Sequence, residues 1–251
     1  MTTETRRVWG ESYVPPHNTA LQRALGQLPD SPARVLEIGC GAGRFIRTIV
    51  NRRPSFIGCG CDLEPLAIAR AATYGDGIRY TVGSATSLPY ADGSFGLVLV
   101  FDVLEHLSQP DLALQEIHRV LQTGGRFHAL VPCEGQPPSL HWLMWKAGIV
   151  PDLKKRHVGH IQRFTRAGFL ELVDKAGLQI ESLTYSMHPL GQMRDVASYL
   201  AEEPALRRGP VAHLAWRAII RSFWLGSYVE SKLLSRVPYG AVALHLTAVK
   251  Q

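Results

Sequence analysis

An acidic residue and three glycines stand together in Val35-Leu36-Glu37-Ile38-Gly39-Cys40-Gly41-Ala42-Gly43-Arg44. Glycines in that spacing, directly after an apolar run, let the backbone turn sharply and let a ligand approach the main chain. A dinucleotide loop would read G-x-G-x-x-G, but the last of those positions is Arg44, and Glu37 would repel a pyrophosphate. The segment therefore suits a ligand carrying positive charge. A second carboxylate, Asp62, closes the next apolar run, 19 residues beyond Gly43 (62 − 43). The four cysteines, Cys40, Cys59, Cys61 and Cys133, form no C-x-x-C pair and lack histidines at ligand spacing. They read as reduced core thiols rather than a disulfide framework or a metal site.

These residues need a scaffold, and the pattern around them describes one. Residues 33–132 alternate short apolar runs with amphipathic stretches. Strands are expected at Arg34–Ile38, Phe56–Cys61, Ile78–Val82, Phe95–Phe101 and Gly125–Val131. Helices are expected at Gly43–Arg52, Pro65–Tyr74 and Pro110–Leu121, the last stopped by Thr123-Gly124-Gly125. Continuous apolar runs such as Gly96–Phe101 suit strands covered on both faces. The alternation predicts a doubly wound, mostly parallel α/β sheet. Farther on, 136–163 reads as irregular, Arg166–Ala176 as a helix capped by Thr165, and Gln179–Tyr185 as a strand. Residues 189–238 are largely helical in pattern, and a last strand fits Ala241–Val249. The expected organisation is a single domain over 1–251, with 133–163 and 189–238 as insertions.

With its glycine turn, the chain resembles the class I S-adenosylmethionine-dependent methyltransferases. Glu37–Gly43 is similar to their first motif, and Asp62 falls where they place an acid on the ribose hydroxyls. Leu88–Val98, Asp102–Leu107 and Glu116–Gly125 resemble their later motifs in the same order. The resemblance covers residues 33–132 well and 160–185 loosely. It implies a Rossmann-like seven-stranded fold with an antiparallel last strand, S-adenosyl-L-methionine as cofactor, and a cofactor site of Glu37, Gly39, Cys40, Gly41, Gly43, Asp62, Leu63, Ser84, Ala85, Phe101 and Asp102. One departure is Gly83-Ser84-Ala85, where relatives often carry an acid. A neutral hydrogen bond contributes ~1 kcal/mol against ~1.5–3 for a charged one, so weaker cofactor affinity is expected.

Methyl transfer to a hydroxyl needs a proton removed, and histidine is the side chain suited to that near neutrality. His106, His160 and His188 are the candidate catalytic residues, with His157 nearby in sequence. No metal is expected. Ligands of open α/β sheets bind outside the carboxyl ends of the parallel strands. Both insertions leave those ends, so both are expected to form a lid over the acceptor. The insertions interleave Trp142, Met144, Trp145, Trp216, Phe223, Trp224, Leu225 and Tyr228 with Lys146, Lys154, Lys155, Arg156, Arg163, Arg207, Arg208, Arg217, Arg221, Lys232 and Arg236. Basic and aromatic residues mixed in this way suit a greasy, acidic acceptor or contact with an anionic membrane through 206–236. The implied function is methyl transfer to a small-molecule or lipid-like acceptor, at oxygen by family analogy. C- or N-methylation, and a cofactor-binding module without turnover, are the alternatives.

Composition bounds the rest. The chain has 251 residues, 46% hydrophobic and 19% charged, which excludes wholesale disorder, a fibrous repeat and a multi-span membrane protein. Net charge is +6 from 27 basic and 21 acidic residues, too mild an excess to imply nucleic acid. Met1–Asn18 lacks a signal-type apolar core, and no apolar stretch reaches the roughly 18 residues of a bilayer span. A cytoplasmic protein, touching the inner membrane surface at most peripherally, is the expectation.

Overall fold

The computed structural model describes residues 19–28, 33–148, 157–202 and 209–251. Seven strands form one sheet: β1 (Arg34–Ile38), β2 (Ile57–Asp62), β3 (Arg79–Val82), β4 (Phe95–Phe101), β5 (Leu121–Pro132), β6 (Leu178–Ser186) and β7 (Ala243–Lys250). Their order is β3-β2-β1-β4-β5-β7-β6. β1 to β5 pair in parallel, and β7 runs antiparallel to both β5 and β6. The doubly wound, mostly parallel sheet is as the sequence predicts. Strand order reverses between β1 and β4, so the crevice for a ligand opens where Gly39 and Asp102 leave those strands.

Two apolar layers cover the sheet because side chains alternate along each strand. Leu36, Ile38, Val98 and Val100 face one layer, with Leu114 and Ile117 of α4 (Pro110–Val120) and Phe169 and Val173 of α6 (Arg166–Lys175). Val35, Leu97, Leu99 and Phe101 face the other, with Ile46 and Ile49 of α2 (Arg44–Arg52). A fully buried Leu, Ile or Phe contributes ~1.5–3 kcal/mol, so both layers matter for the position of the crevice. No sequence expectation covers Thr19–Leu25, which forms α1 and buries Leu21 and Ala24 in the second layer. α3 (Pro65–Ala72) is capped by Glu64, which accepts from the Leu66 amide.

Some details differ from expectation for local reasons. α4 ends at Val120, and β5 begins at Leu121 rather than Gly125. Two steps along β4 (Phe95 to Leu97) face five along β5 (Leu121 to Arg126), so the glycine pair is a bulge inside the strand rather than a break before it. Within the stretch read as irregular, Ser139 accepts from the Trp142 amide at 3.1 Å and starts α5 (Leu140–Lys146). Glu116 and Arg119 pin the segment before β4. Arg119 binds Glu116 at 2.7 Å, Asp92 at 2.7 Å and the carbonyls of Leu88 and Tyr90.

The second insertion supplies α7 (Pro189–Glu202) and α8 (Gly209–Leu233), which pack on one another. Glu230 of α8 accepts from the Leu190 and Gly191 amides at 3.2 and 3.1 Å, filling the orphan donors at the start of α7. Gln192 is fully buried. Its oxygen accepts from Leu140 N at 2.7 Å, and its amide donates to the carbonyls of Met187 and Gly240 at 2.8 and 2.6 Å. One side chain thus ties α5, α7 and the approach to β7 together. Lys154, Lys155, Arg156, Arg207, Arg208 and residues 1–18 lie outside the described residues.

Candidate functional site

A cavity of about 1070 Å³ opens at the carboxyl ends of β1, β2 and β4 and continues beneath α7 and α8. Of the residues expected to hold the cofactor, Glu37, Gly39, Cys40, Gly41, Asp62, Leu63, Ser84, Ala85, Phe101 and Asp102 all line it. Gly39 has φ 69°, and a Cβ there would stand 2.2 Å from Val103 Cγ2, so the turn requires glycine at that point. Gly43 is a correction. It does not line the cavity, and its added Cβ would meet the Tyr80 hydroxyl at 2.5 Å, so this glycine serves packing of α2 against β3.

Asp62 Oδ2 accepts from the Gly41 amide at 2.7 Å, and Oδ1 accepts from the Glu64 amide at 2.9 Å. The carboxylate therefore shapes the turn while each oxygen keeps lone-pair capacity for a ligand donor. Glu37 accepts from the Ile46 amide at 2.8 Å and is 2% exposed. Burial raises its pKa to about 8, opposed by that amide hydrogen bond. A buried acid on a cavity wall prefers to lose its proton only when a cation arrives beside it. Ser84 has its hydroxyl engaged by Thr86, whose amide donates to it at 3.2 Å and whose Oγ1 lies at 2.9 Å. Leu63, 73% exposed, and Ala85 both line the cavity and give it apolar surface. Asp102 adopts φ 52°, a left-handed turn directly at the end of β4.

The three catalytic candidates separate. His106 and His160 line the cavity with ring centroids 4.9 Å apart, edge to face. His188 does not belong with them. It is fully buried, outside the cavity lining, and its Nε2 donates to the Val237 carbonyl at 2.9 Å. A ring committed inside the protein cannot take a proton from an acceptor. His160 Nδ1 lies 2.9 Å from Glu134 and its Nε2 3.7 Å from Glu105, so both ring nitrogens face carboxylates. His106 Nδ1 donates to the Gly159 carbonyl at 3.2 Å, which leaves Nε2 as its basic nitrogen. Desolvation lowers the His106 pKa below 6.5, and the neighbouring His160 lowers it further. Ligand atoms of Glu105, His106 and His160 lie within 4.8 Å of one another, near enough to share a cation.

Sequence reading passed over Glu105 and Glu134. Glu134 follows the end of β5 by two residues, the sheet edge where sites collect, which is the signal that would have found it. The lid wall also differs from expectation. Tyr199 of α7 and Trp224 and Tyr228 of α8 line the cavity, whereas Trp142, Met144 and Trp145 do not. Cys61 is at its edge, and all four cysteines are free and buried, as expected.

Comparison with known proteins agrees with this geometry. Residues 36–129 match the family model described as a methyltransferase domain. The chain is 35% identical over 115 residues to a demethylmenaquinone methyltransferase of Thermus thermophilus, a match covering 44% of this chain and 51% of that protein. It is 27% identical over 160 residues to a ubiquinone biosynthesis O-methyltransferase of Pseudomonas aeruginosa, covering 61% and 68%. The crystal structure of the cyclase SpnF shares the fold, with a TM-score of 0.60 at 22% identity over 92% of this chain and 79% of that one. Residues 36–129, which hold the glycine turn and Asp62, are thus similar to the methyltransferase-domain family. The chain's matches span between about half and two thirds of the length of these curated relatives.

Proposed function

We propose that the protein transfers a methyl group from S-adenosylmethionine to an oxygen of a small-molecule or lipid-like acceptor. The observation that carries this reading is the convergence of the Gly39–Gly41 turn, Asp62, Glu37 and His106 on one cavity with a lid above it. At about 1070 Å³ that cavity exceeds the usual range for a single small ligand, leaving space for two. The residues fit the cofactor: Asp62 would hold its sugar hydroxyls, Glu37 would meet its ammonium or sulfonium charge, and Leu63 with Ala85 would seat its purine. Bound there, the cofactor supplies an electrophilic methyl group for in-line displacement.

The chain's own residues then align, shield and deprotonate the acceptor. Holding the acceptor oxygen at attack distance accounts for much of the acceleration. His106 Nε2 takes the hydroxyl proton, because its other nitrogen is bonded to Gly159 and desolvation keeps the ring neutral at pH 7. His160, held between Glu134 and Glu105, is a positioning residue that sets the edge against which the His106 ring rests. Described residues 133–148, 157–163, 189–202 and 209–238 supply the lid of a single domain, excluding water over the acceptor.

Calorimetry with S-adenosylmethionine and S-adenosylhomocysteine tests the first half, and transfer of isotope-labelled methyl into a pooled lipid and metabolite extract tests the second. Heat without labelled product would favour a binding module. Absence of heat for both ligands refutes the proposal. Product carrying the label on carbon or nitrogen refutes the oxygen assignment alone.

The outward side of α8 supports membrane contact. Leu214, Ile219, Leu225, Val229 and Leu233 are exposed there, interspersed with exposed Arg217, Arg221 and Lys232. No helix among the described residues is long and apolar enough to cross a membrane. The proposed contact is peripheral, with apolar side chains entering the interface and arginines meeting anionic headgroups. Flotation with vesicles containing anionic lipid, but not with neutral ones, is the expected result.

A further inference from the structure

Behind the lid end of the cavity lies a cation without a counter-ion among the described residues. Arg23 of α1 sends Nη2 to the Tyr185 carbonyl at 2.7 Å and toward the Ser231 carbonyl at 3.4 Å. Its Nη1 is buried without a hydrogen-bond partner, and among the described residues no carboxylate pairs with it. Burial lowers its pKa to about 10. Four neighbours around it line the cavity: Ala20 one turn earlier, Ser186 after Tyr185, Ser231, and His245. His245 is 3% exposed, its Nε2 meets the Ser186 hydroxyl at 2.8 Å, and its Nδ1 is buried without a partner. Asp195 lies 3.3 Å from His141, and Glu230 caps α7.

Burying a guanidinium with no opposite charge is costly, and so is leaving ring nitrogens and N–H groups unsatisfied in the interior. α1, β6, α8 and β7 all contribute to this cluster, so the placement comes from tertiary structure and is not a local accident. The cost is recovered if a ligand brings the missing charge.

We propose that the lid end of the cavity binds a carboxylate of the acceptor against His245, Ser186 and Ser231, with Arg23 supplying the counter-charge. The inference deepens the methyltransferase reading, because it gives the acceptor an acidic group remote from the methylated oxygen. The Ser186 hydroxyl and His245 Nε2 share a hydrogen bond, and in the tautomer where Ser186 is the donor, Nδ1 carries the proton that meets the anion. His128, whose Nδ1 lies 3.1 Å from Thr247 Oγ1, stays behind the first layer of contacts. Arg194 also lines this end without an ion pair among the described residues, adding to the positive field.

The test uses the full chain saturated with S-adenosylhomocysteine and two acid–ester pairs: decanoic acid with methyl decanoate, and 4-hydroxybenzoic acid with its methyl ester. Calorimetry should give at least one acid a Kd tenfold or more below its ester. Arg23→Gln and His245→Gln should each bring acid and ester within threefold, while Arg23→Lys keeps part of the preference. S-adenosylhomocysteine affinity in each variant reports that the fold is intact. No acid preference in either pair overturns the inference, as does a preference that survives Arg23→Gln. Failure of S-adenosylhomocysteine to bind the wild-type chain would instead overturn the underlying reading.

Discussion

Replacing Glu37 by glutamine should move stability and cofactor binding in opposite directions. In the folded chain this carboxyl titrates at about 8 instead of 4.5, chiefly because burial disfavours its charged form. A carboxyl whose pKa rises on folding holds a proton that the unfolded chain gives up. Its favourable contribution is therefore complete below pH 4.5 and is lost as pH climbs toward 8. At pH 7 the 2.5 units above 4.5 (7 − 4.5) correspond to about 3 kcal/mol of destabilisation, at ~1.4 kcal/mol per unit. Glu37→Gln keeps an oxygen for the Ile46 amide and has no proton to lose. It should be more stable than wild type at pH 7 by up to about 3 kcal/mol, or roughly 6–12 °C in Tm for a chain of this size. At pH 4 the difference should vanish. Binding moves the other way. Losing a charge-assisted partner costs ~1.5–3 kcal/mol, so S-adenosylmethionine should bind roughly 10–100-fold more weakly. Thermal unfolding at both pH values, with calorimetry at pH 7, reads both effects. A Tm difference that is the same at pH 4 and pH 7 would show that Glu37 is not the titrating group. Unchanged affinity would remove its role toward a cation.

Asp62→Ala should weaken S-adenosylhomocysteine by at least tenfold, because both a ligand contact and the Gly41 hydrogen bond are lost; calorimetry retaining wild-type affinity contradicts the assignment. His106→Ala should lower kcat by ~10²–10⁴ with KM little changed, as removal of a general base does. Since the His106 pKa lies below 6.5, the base is neutral at pH 7, and the wild-type rate should fall only as pH drops through that lower range. A rate that instead rises toward low pH would exclude this proton path. Glu134→Gln should reduce kcat less than His106→Ala and shift the acidic limb, whereas a purely structural Glu134 would change Tm alone. Dialysis against a chelator should leave the rate within about twofold; loss that added zinc or magnesium restores would assign Glu105, His106 and His160 to a metal rather than to proton transfer.

Much of the cofactor half was legible because it is local. Val35–Arg44 carries its own instructions: an apolar strand, glycines for left-handed turns, and an amphipathic run for the helix that follows. Asp62 stood out because it ends a strand, and strand ends in a parallel sheet share one edge. Even here, Gly43 looked like a ligand contact, and only its proximity to Tyr80 shows that it makes room for packing. Near the acceptor the sequence lost its grip. His188 read like its fellow candidates by residue type and position after a strand, yet burial removes it from the cavity. The tryptophans of α5 looked as suited to a lid as Trp224 does, but they do not line the cavity.

Periodicity and glycine spacing by themselves determined the parallel sheet, the ligand edge and the carboxylates at the turn, because each depends on residues adjacent in the chain. Pairing across long separations was decided by tertiary structure alone. Arg23 meets Tyr185 and Ser231, His160 meets Glu134, and Gln192 joins three elements, at distances in sequence where no periodic pattern carries information. Burial then sets what those groups can do. It drives the Glu37 pKa up, leaves Arg23 without a counter-ion among the described residues and removes His188 from the chemistry, and burial exists only once the chain has closed around them.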